Sequence, residues 1–157
     1  MENVASNESI YQPFHGQVAV ITGANSGIGK AISLSLAEQG ATVCLIGRNV
    51  ERLREVARQT ESVGCRVHYL QGDLSQDADL AKLIDNINRL LGQVDVLVHS
   101  AGLLHRGPIE TAPVNHFDQQ YRVNVRAPYI LTQALLPMLK SRRGQIVFIN
   151  SSVSLRN

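Results

Sequence analysis

Three observations predict an α/β fold built on a parallel sheet with helices on both faces. Short, nearly continuous apolar runs alternate along the chain with longer segments whose apolar residues recur at helical spacing. The first such junction, Thr22-Gly23-Ala24-Asn25-Ser26-Gly27-Ile28-Gly29, is a glycine-rich strand-turn-helix. Gly23, Arg48, Asp73, Gly102 and Ser152 each fall just after an apolar run, so one parallel sheet gathers them along a single rim.

Residues 1–15 are polar, with neither an apolar core nor a basic flank, and read as a flexible tail rather than a signal or transit peptide. Val18-Ala19-Val20-Ile21 reads as the first strand. After the glycine turn, Ile28, Ala31, Ile32, Ser35 and Leu36 share a helical face, with small Ala31 and Ser35 permitting close approach to a sheet, and Gly40 ends that helix. Residues 42–46 form a second strand, followed by Gly47-Arg48-Asn49 and a charged helix with Val50, Leu53, Ala57 and Thr60 inward, stopped by Gly64.

Val67-His68-Tyr69-Leu70 reads as a third strand ending at Gly72-Asp73-Leu74. Residues 76–91 form a helix with one stripe of Leu80, Leu83, Ile84, Ile87, Leu90 and Leu91. Residues 94–98 give a fourth strand, 115–139 a long helix bent near Pro128, and 145–149 a fifth strand. Right-handed crossovers between such strands make a doubly wound, Rossmann-type sheet the economical topology, with ligands beyond the carboxyl ends of its strands. Both faces of the fifth strand are apolar and expect cover, Ile146 and Phe148 on one side and Val147 and Ile149 on the other.

Composition narrows the function. With 44% hydrophobic residues and a formal net charge of +2, the 157-residue chain reads as one soluble, cytoplasmic globular domain. Its Lys and Arg are scattered and its aromatics few, which argues against nucleic-acid binding. Leu135-Leu136-Pro137-Met138-Leu139 falls far short of the ~20 apolar residues that span a bilayer. Cys44 and Cys65 lack a paired motif and read as reduced, buried thiols, while the five His lack ligand spacing and read as surface or loop residues, so no metal is assigned.

The glycine turn brings the chain's backbone close to a ligand and offers helix N-terminal amides to an anion, as a dinucleotide pyrophosphate requires. The phosphate loop of nucleotide triphosphatases does not fit, because Ala24 stands where its first glycine belongs and Ala31 follows Lys30 where a metal-binding hydroxyl is needed.

Taken together, these motifs resemble the short-chain dehydrogenase/reductase family from about Gly16 onward, and the T-G-x-x-x-G-x-G spacing resembles its compact branch rather than the extended epimerase branch. The resemblance implies that Gly23, Asn25, Ser26, Gly27, Ile28 and Gly29 bind the cofactor. At the end of the second strand the family's acidic ribose-gripping residue is replaced by Gly47, and Arg48 with Asn49 follows. A guanidinium there pairs with a ribose phosphate, so NADP(H) is favoured over NAD(H); a solvated loop cation is the alternative for Arg48.

Asp73 and Leu74 resemble the adenine-contacting pair, although an Asp at a strand end serves equally as a cap. His99-Ser100-Ala101-Gly102 stands where many members have Asn-Asn-Ala-Gly, which keeps the close approach of Ser100, Ala101 and Gly102 to the cofactor and gives up the sheet-bracing Asn side chains. Asn124 resembles the active-site Asn whose amide helps hold a water linked to the catalytic Lys, and Ser152 the hydroxyl that hydrogen-bonds a substrate carbonyl.

In the family, hydride passes between nicotinamide and a carbonyl or carbinol carbon while a Tyr, its pKa lowered by a Lys four positions on, handles the proton. Here the residues four after Tyr11, Tyr69, Tyr121 and Tyr129 are His15, Asp73, Val125 and Gln133. The resemblance therefore implies an incomplete domain over 16–157, truncated after the fifth strand and inactive by itself, the cofactor-binding portion of an enzyme for a small carbonyl or alcohol substrate, with a homo-oligomer possible. A non-catalytic nucleotide-binding or interaction module that pairs with a full-length relative is the alternative.

Overall fold

The apolar runs form one all-parallel five-stranded sheet in the computed structural model, which describes residues 12–151. The strands are β1 (Val18–Thr22), β2 (Thr42–Gly47), β3 (Val67–Gln71), β4 (Val96–His99) and β5 (Gln145–Phe148), in the order β3-β2-β1-β4-β5. The chain winds outward from β1 to β3 and then crosses back to β4, so the strand order reverses between β1 and β4 and leaves a crevice beyond their carboxyl ends. This is the doubly wound, Rossmann-type arrangement expected.

The period-two alternation of strand side chains divides the core into two layers. Val20, Cys44, Ile46 and Leu97 face α3 (Asp77–Leu90) and α5 (Ala127–Arg142), while Ala19, Ile21, Val43, Leu45 and Val98 face α1 (Gly27–Glu38) and α2 (Val50–Glu61). Each Val, Leu or Ile side chain among them contributes about 1.5–3 kcal/mol by leaving water.

Several expectations shift. Residues 12–15 do not belong to a loose tail: they lie in or beside a turn in which the Phe14 amide donates to Gln39 O at 3.1 Å and the Phe14 ring packs on the α1–α2 layer. On α1 the buried face is Gly29, Ser33, Leu36 and Ala37, whereas Ile28, Ala31 and Ser35 are exposed. The close approach comes from Gly29 and from Ser33, whose hydroxyl turns back to donate to Gly29 O at 2.8 Å. On α2, Val56 joins Leu53, Ala57 and Thr60 inside, and Val50 in the first turn is only partly covered.

Leu90 is exposed because α3 ends there and Leu91 turns inward in an extended conformation. β4 begins at Val96, since the Asp95 carboxylate is taken up by the Val18 amide (2.8 Å) and the Arg142 guanidinium (2.9 Å) at the strand entrance. Cys65 is half-buried rather than buried, and its thiol lies 2.6 Å from Ala41 O.

The long helix is interrupted, but before Pro128. α4 (Val114–Tyr121) passes into a π-helical turn, Arg122–Arg126, and only then into α5, with the Ala127 amide donating to Arg122 O. Pro128 has no amide to return to Asn124 O and its ring crowds that carbonyl, so the backbone widens in the turn ahead of it. All four residues of β5 are exposed, with Phe148 60% accessible, although the ring stacks on His99 at 4.9 Å between centroids.

Candidate functional site

The crevice is built from the residues that end each strand. Thr22 closes β1 with a buried hydroxyl that donates to Val98 O (3.3 Å) and accepts the amides of Ser100 and Ala101 (3.1 Å each). The loop after β4 is thus pinned to the loop after β1 by one side chain. Gly23 follows with φ +67°, and a Cβ there would lie 2.9 Å from the Ala101 backbone. Only glycine meets both demands.

Ser26 holds the N-cap position of α1 with extended backbone, yet its hydroxyl caps no amide and the first turn contains no acid. The amides at the start of α1 are therefore left for an anion. A Cβ on Gly27 would meet nothing within 4 Å, so the space above the turn is open to a ligand approaching the backbone. At the end of β2 the Asn25 side chain lies over Gly47, where a Cβ would come within 2.7 Å of Asn25 Oδ1. A side chain at position 47 would have to displace the Asn25 amide.

Arg48 is held by its carbonyl, which accepts from Gln71 Nε2 at 3.0 Å. Asn49 is the N-cap of α2, its Oδ1 accepting the Arg52 amide at 2.8 Å, and it does not line the crevice. Its visible job is to start the helix. Asp73 behaves as a turn former as well as a wall: its carboxylate accepts the Ser75 amide (2.9 Å), and its own amide donates to Asp79 Oδ2 (2.9 Å). Leu74 is buried and serves both the wall and the core.

These elements enclose a cavity of about 510 Å3, within the range of ligand clefts. Gly23, Asn25, Ser26, Gly27, Ile28, Gly29, Arg48, Asp73, Leu74, Ser100, Ala101 and Gly102 all line it. Gly47, Arg52, Gly72, Leu103 and Val123 line it as well. Arg52 was missed because it reads as one more charge on an amphipathic helix; its place in the first turn, three residues after a capping Asn, is the available signal.

Asn124 sits in the π-helical turn beside the cavity rather than on its wall. Its amide holds Leu103, accepting that residue's amide (2.8 Å) and donating to its carbonyl (2.7 Å), and keeps one N–H and one lone pair. Asn124 is thus a clamp on the segment after Gly102. Ser152 lies outside the described residues. Arg126 and Arg122 both pair with Asp77, and Arg122 also reaches Ser75 O, which ties the π-helical turn to the loop after β3.

His99 is not a surface or loop residue. It ends β4 almost fully buried, with Nε2 2.9 Å from Thr132 Oγ1 and Nδ1 without a hydrogen-bond partner among the described residues. Burial holds its pKa down at about 4, so the ring is neutral near pH 7. Burial likewise pushes the Cys44 thiol up to about 12, which makes it an unreactive core side chain. No helix among the described residues is long and apolar enough to cross a membrane.

A family profile described as short chain dehydrogenase matches residues 17–157. A short chain dehydrogenase of Pseudocercospora fijiensis is 34% identical over 142 residues, covering 88% of this chain and 46% of that protein. Among solved structures, a metagenomic short-chain oxidoreductase in complex with NADP superposes with a TM-score of 0.85 at 37% identity, covering 92% of this chain and 66% of that one. L-Sorbose reductase from Gluconobacter frateurii, complexed with NADPH and L-sorbose, gives 0.82 at 32% identity, with 88% and 54% covered. The chain spans about half the length of the curated relatives it matches.

Proposed function

The chain belongs to the short-chain dehydrogenase family, and from that premise we propose that it is the cofactor-binding portion of an oxidoreductase that moves hydride between NADP(H) and a small carbonyl or alcohol substrate. The observation that carries this reading is the convergence of the loops after β1, β2, β3 and β4 on one cavity, with an uncapped helix N-terminus at one wall and Arg48 at another.

The donor set fits a phosphorylated adenine dinucleotide. Amides at the start of α1 and the hydroxyl of Ser26 suit the pyrophosphate, and Asp73 and Leu74 suit the adenine. Arg48 offers a charge-assisted, two-pronged grip to a ribose 2′-phosphate, while Gly47 supplies no acid that would repel it. The preference for NADP(H) over NAD(H) follows from that pair of facts, and relatives solved with NADP or NADPH support it.

When bound, the nicotinamide supplies or accepts the hydride. The chain's own part is to orient it: Gly102 and the Asn124-clamped Leu103 form the wall facing the π-helical turn. Ser152 is proposed to hydrogen-bond the substrate oxygen. Because no Tyr of the 157 residues is followed four positions later by Lys, the reading gives these residues cofactor binding and orientation and not proton transfer.

The test is a fluorescence titration of the 157-residue chain with NADPH and with NADH. Tighter binding of NADPH, by about tenfold or more for a charge-assisted phosphate contact, is the expected result. Equal affinities would remove the cofactor preference, and no binding of either would remove the reading.

A further inference from the structure

Two cations face the cavity near the carboxyl end of β2, and the family resemblance accounts for only one. Arg48 and Arg52 both line it, and among the described residues neither guanidinium forms an ion pair or a side-chain hydrogen bond. The Asn49 cap fixes where α2 begins and so sets position 52 in its first turn, on the cavity wall that Arg48 reaches from the loop before the helix. Glu51 lies between them in sequence yet pairs with neither. Two guanidiniums without an ion-pair partner on one wall repel each other, and an anion between them relieves that repulsion.

We propose that Arg52 is a second phosphate-binding residue, and that it and Arg48 together grip the 2′-phosphate of the adenosine ribose. The inference rests on the NADP(H) reading of the cavity. A phosphate monoester carries close to two negative charges at neutral pH, more than one guanidinium balances, and its three terminal oxygens accept from two forks at once. Lys82 is a poorer candidate: it borders only the smaller adjoining cavity, whereas Arg48 and Arg52 both line the larger one. The loss of Arg48 alone therefore leaves a residual preference for the phosphorylated cofactor, which the loss of both abolishes.

The test titrates the 157-residue chain and its Arg52→Gln, Arg52→Lys and Arg48→Gln/Arg52→Gln variants with 2′,5′-ADP and with 5′-ADP, with circular dichroism melts to establish equal folding. Arg52→Gln is expected to weaken 2′,5′-ADP by about tenfold and 5′-ADP by less than about twofold, with Arg52→Lys recovering part of the loss. Equal weakening of both nucleotides would assign Arg52 to the 5′-pyrophosphate and overturn the proposal, as would an unchanged affinity for 2′,5′-ADP. If the unmodified chain binds neither nucleotide, the dinucleotide reading falls and this inference with it. If it binds both with Arg52 indifferent, only the inference falls.

Discussion

β4 and β5 are neighbours in the same sheet and have similar sequences, Val96-Leu97-Val98-His99 against Gln145-Ile146-Val147-Phe148, yet every residue of the first is buried and every residue of the second is exposed. An apolar, β-branched run specifies a strand and its pairing. It does not say what lies on the faces, because cover is supplied by other segments. The four strands from β3 to β4 carry the crevice at their ends, so the part of the molecule that binds is also the part whose core is closed by α1, α2, α3 and α5.

The largest effect that sharpens this contrast is a cavity at its buried side. Leu97→Ala, on the fully covered strand, is expected to cost about 2–5 kcal/mol in urea unfolding. Gly23→Val follows at about 2–4 kcal/mol, because its φ of +67° and the 2.9 Å approach of Ala101 penalise any Cβ; the same variant should lose cofactor binding. Thr22→Val strips an acceptor from the amides of Ser100 and Ala101 and should cost about 1–3 kcal/mol while loosening the loop after β4.

His99 joins the two strands, since it ends β4 and stacks on Phe148 of β5. Its folded pKa of about 4 lies below the ordinary 6.5, so the folded chain binds the proton less readily than the unfolded one. The stability this provides is present above about pH 6.5 and is lost as the pH falls toward 4. Urea unfolding at pH 7 and pH 5 should differ by about 1–2 kcal/mol from this group, and His99→Asn should flatten that slope. Smallest of all is Val147→Ala on the exposed strand, expected within about 0.5 kcal/mol of the unmodified chain; a loss comparable to that of Leu97→Ala would break the contrast.

The strands, their order of winding and most of the cavity wall were legible in the sequence, because glycine at a strand-to-helix turn and polar residues after apolar runs are local signals. What was not legible depended on tertiary placement. Helical spacing puts Ile28, Ala31, Ile32, Ser35 and Leu36 on one face of α1, whereas the sheet contact goes through Gly29, Ser33, Leu36 and Ala37, rotated by the need to bring Gly29 against Gly23. The cap that Asn49 places on α2 shows only in the folded helix start. His99 reads like a loop residue and ends a buried strand. Arg52 hides among the charges of α2, and Asn124 shows its clamp only once the π-helical turn and Leu103 are side by side.

Hydrogen–deuterium exchange of the 157-residue chain with and without NADPH tests the central claim most directly. The account predicts protection in three separated segments, residues 23–29, 72–75 and 100–103, and none in α4 before the π-helical turn. Exchange unchanged in those segments at saturating nucleotide, or protection confined to a surface away from them, would contradict it.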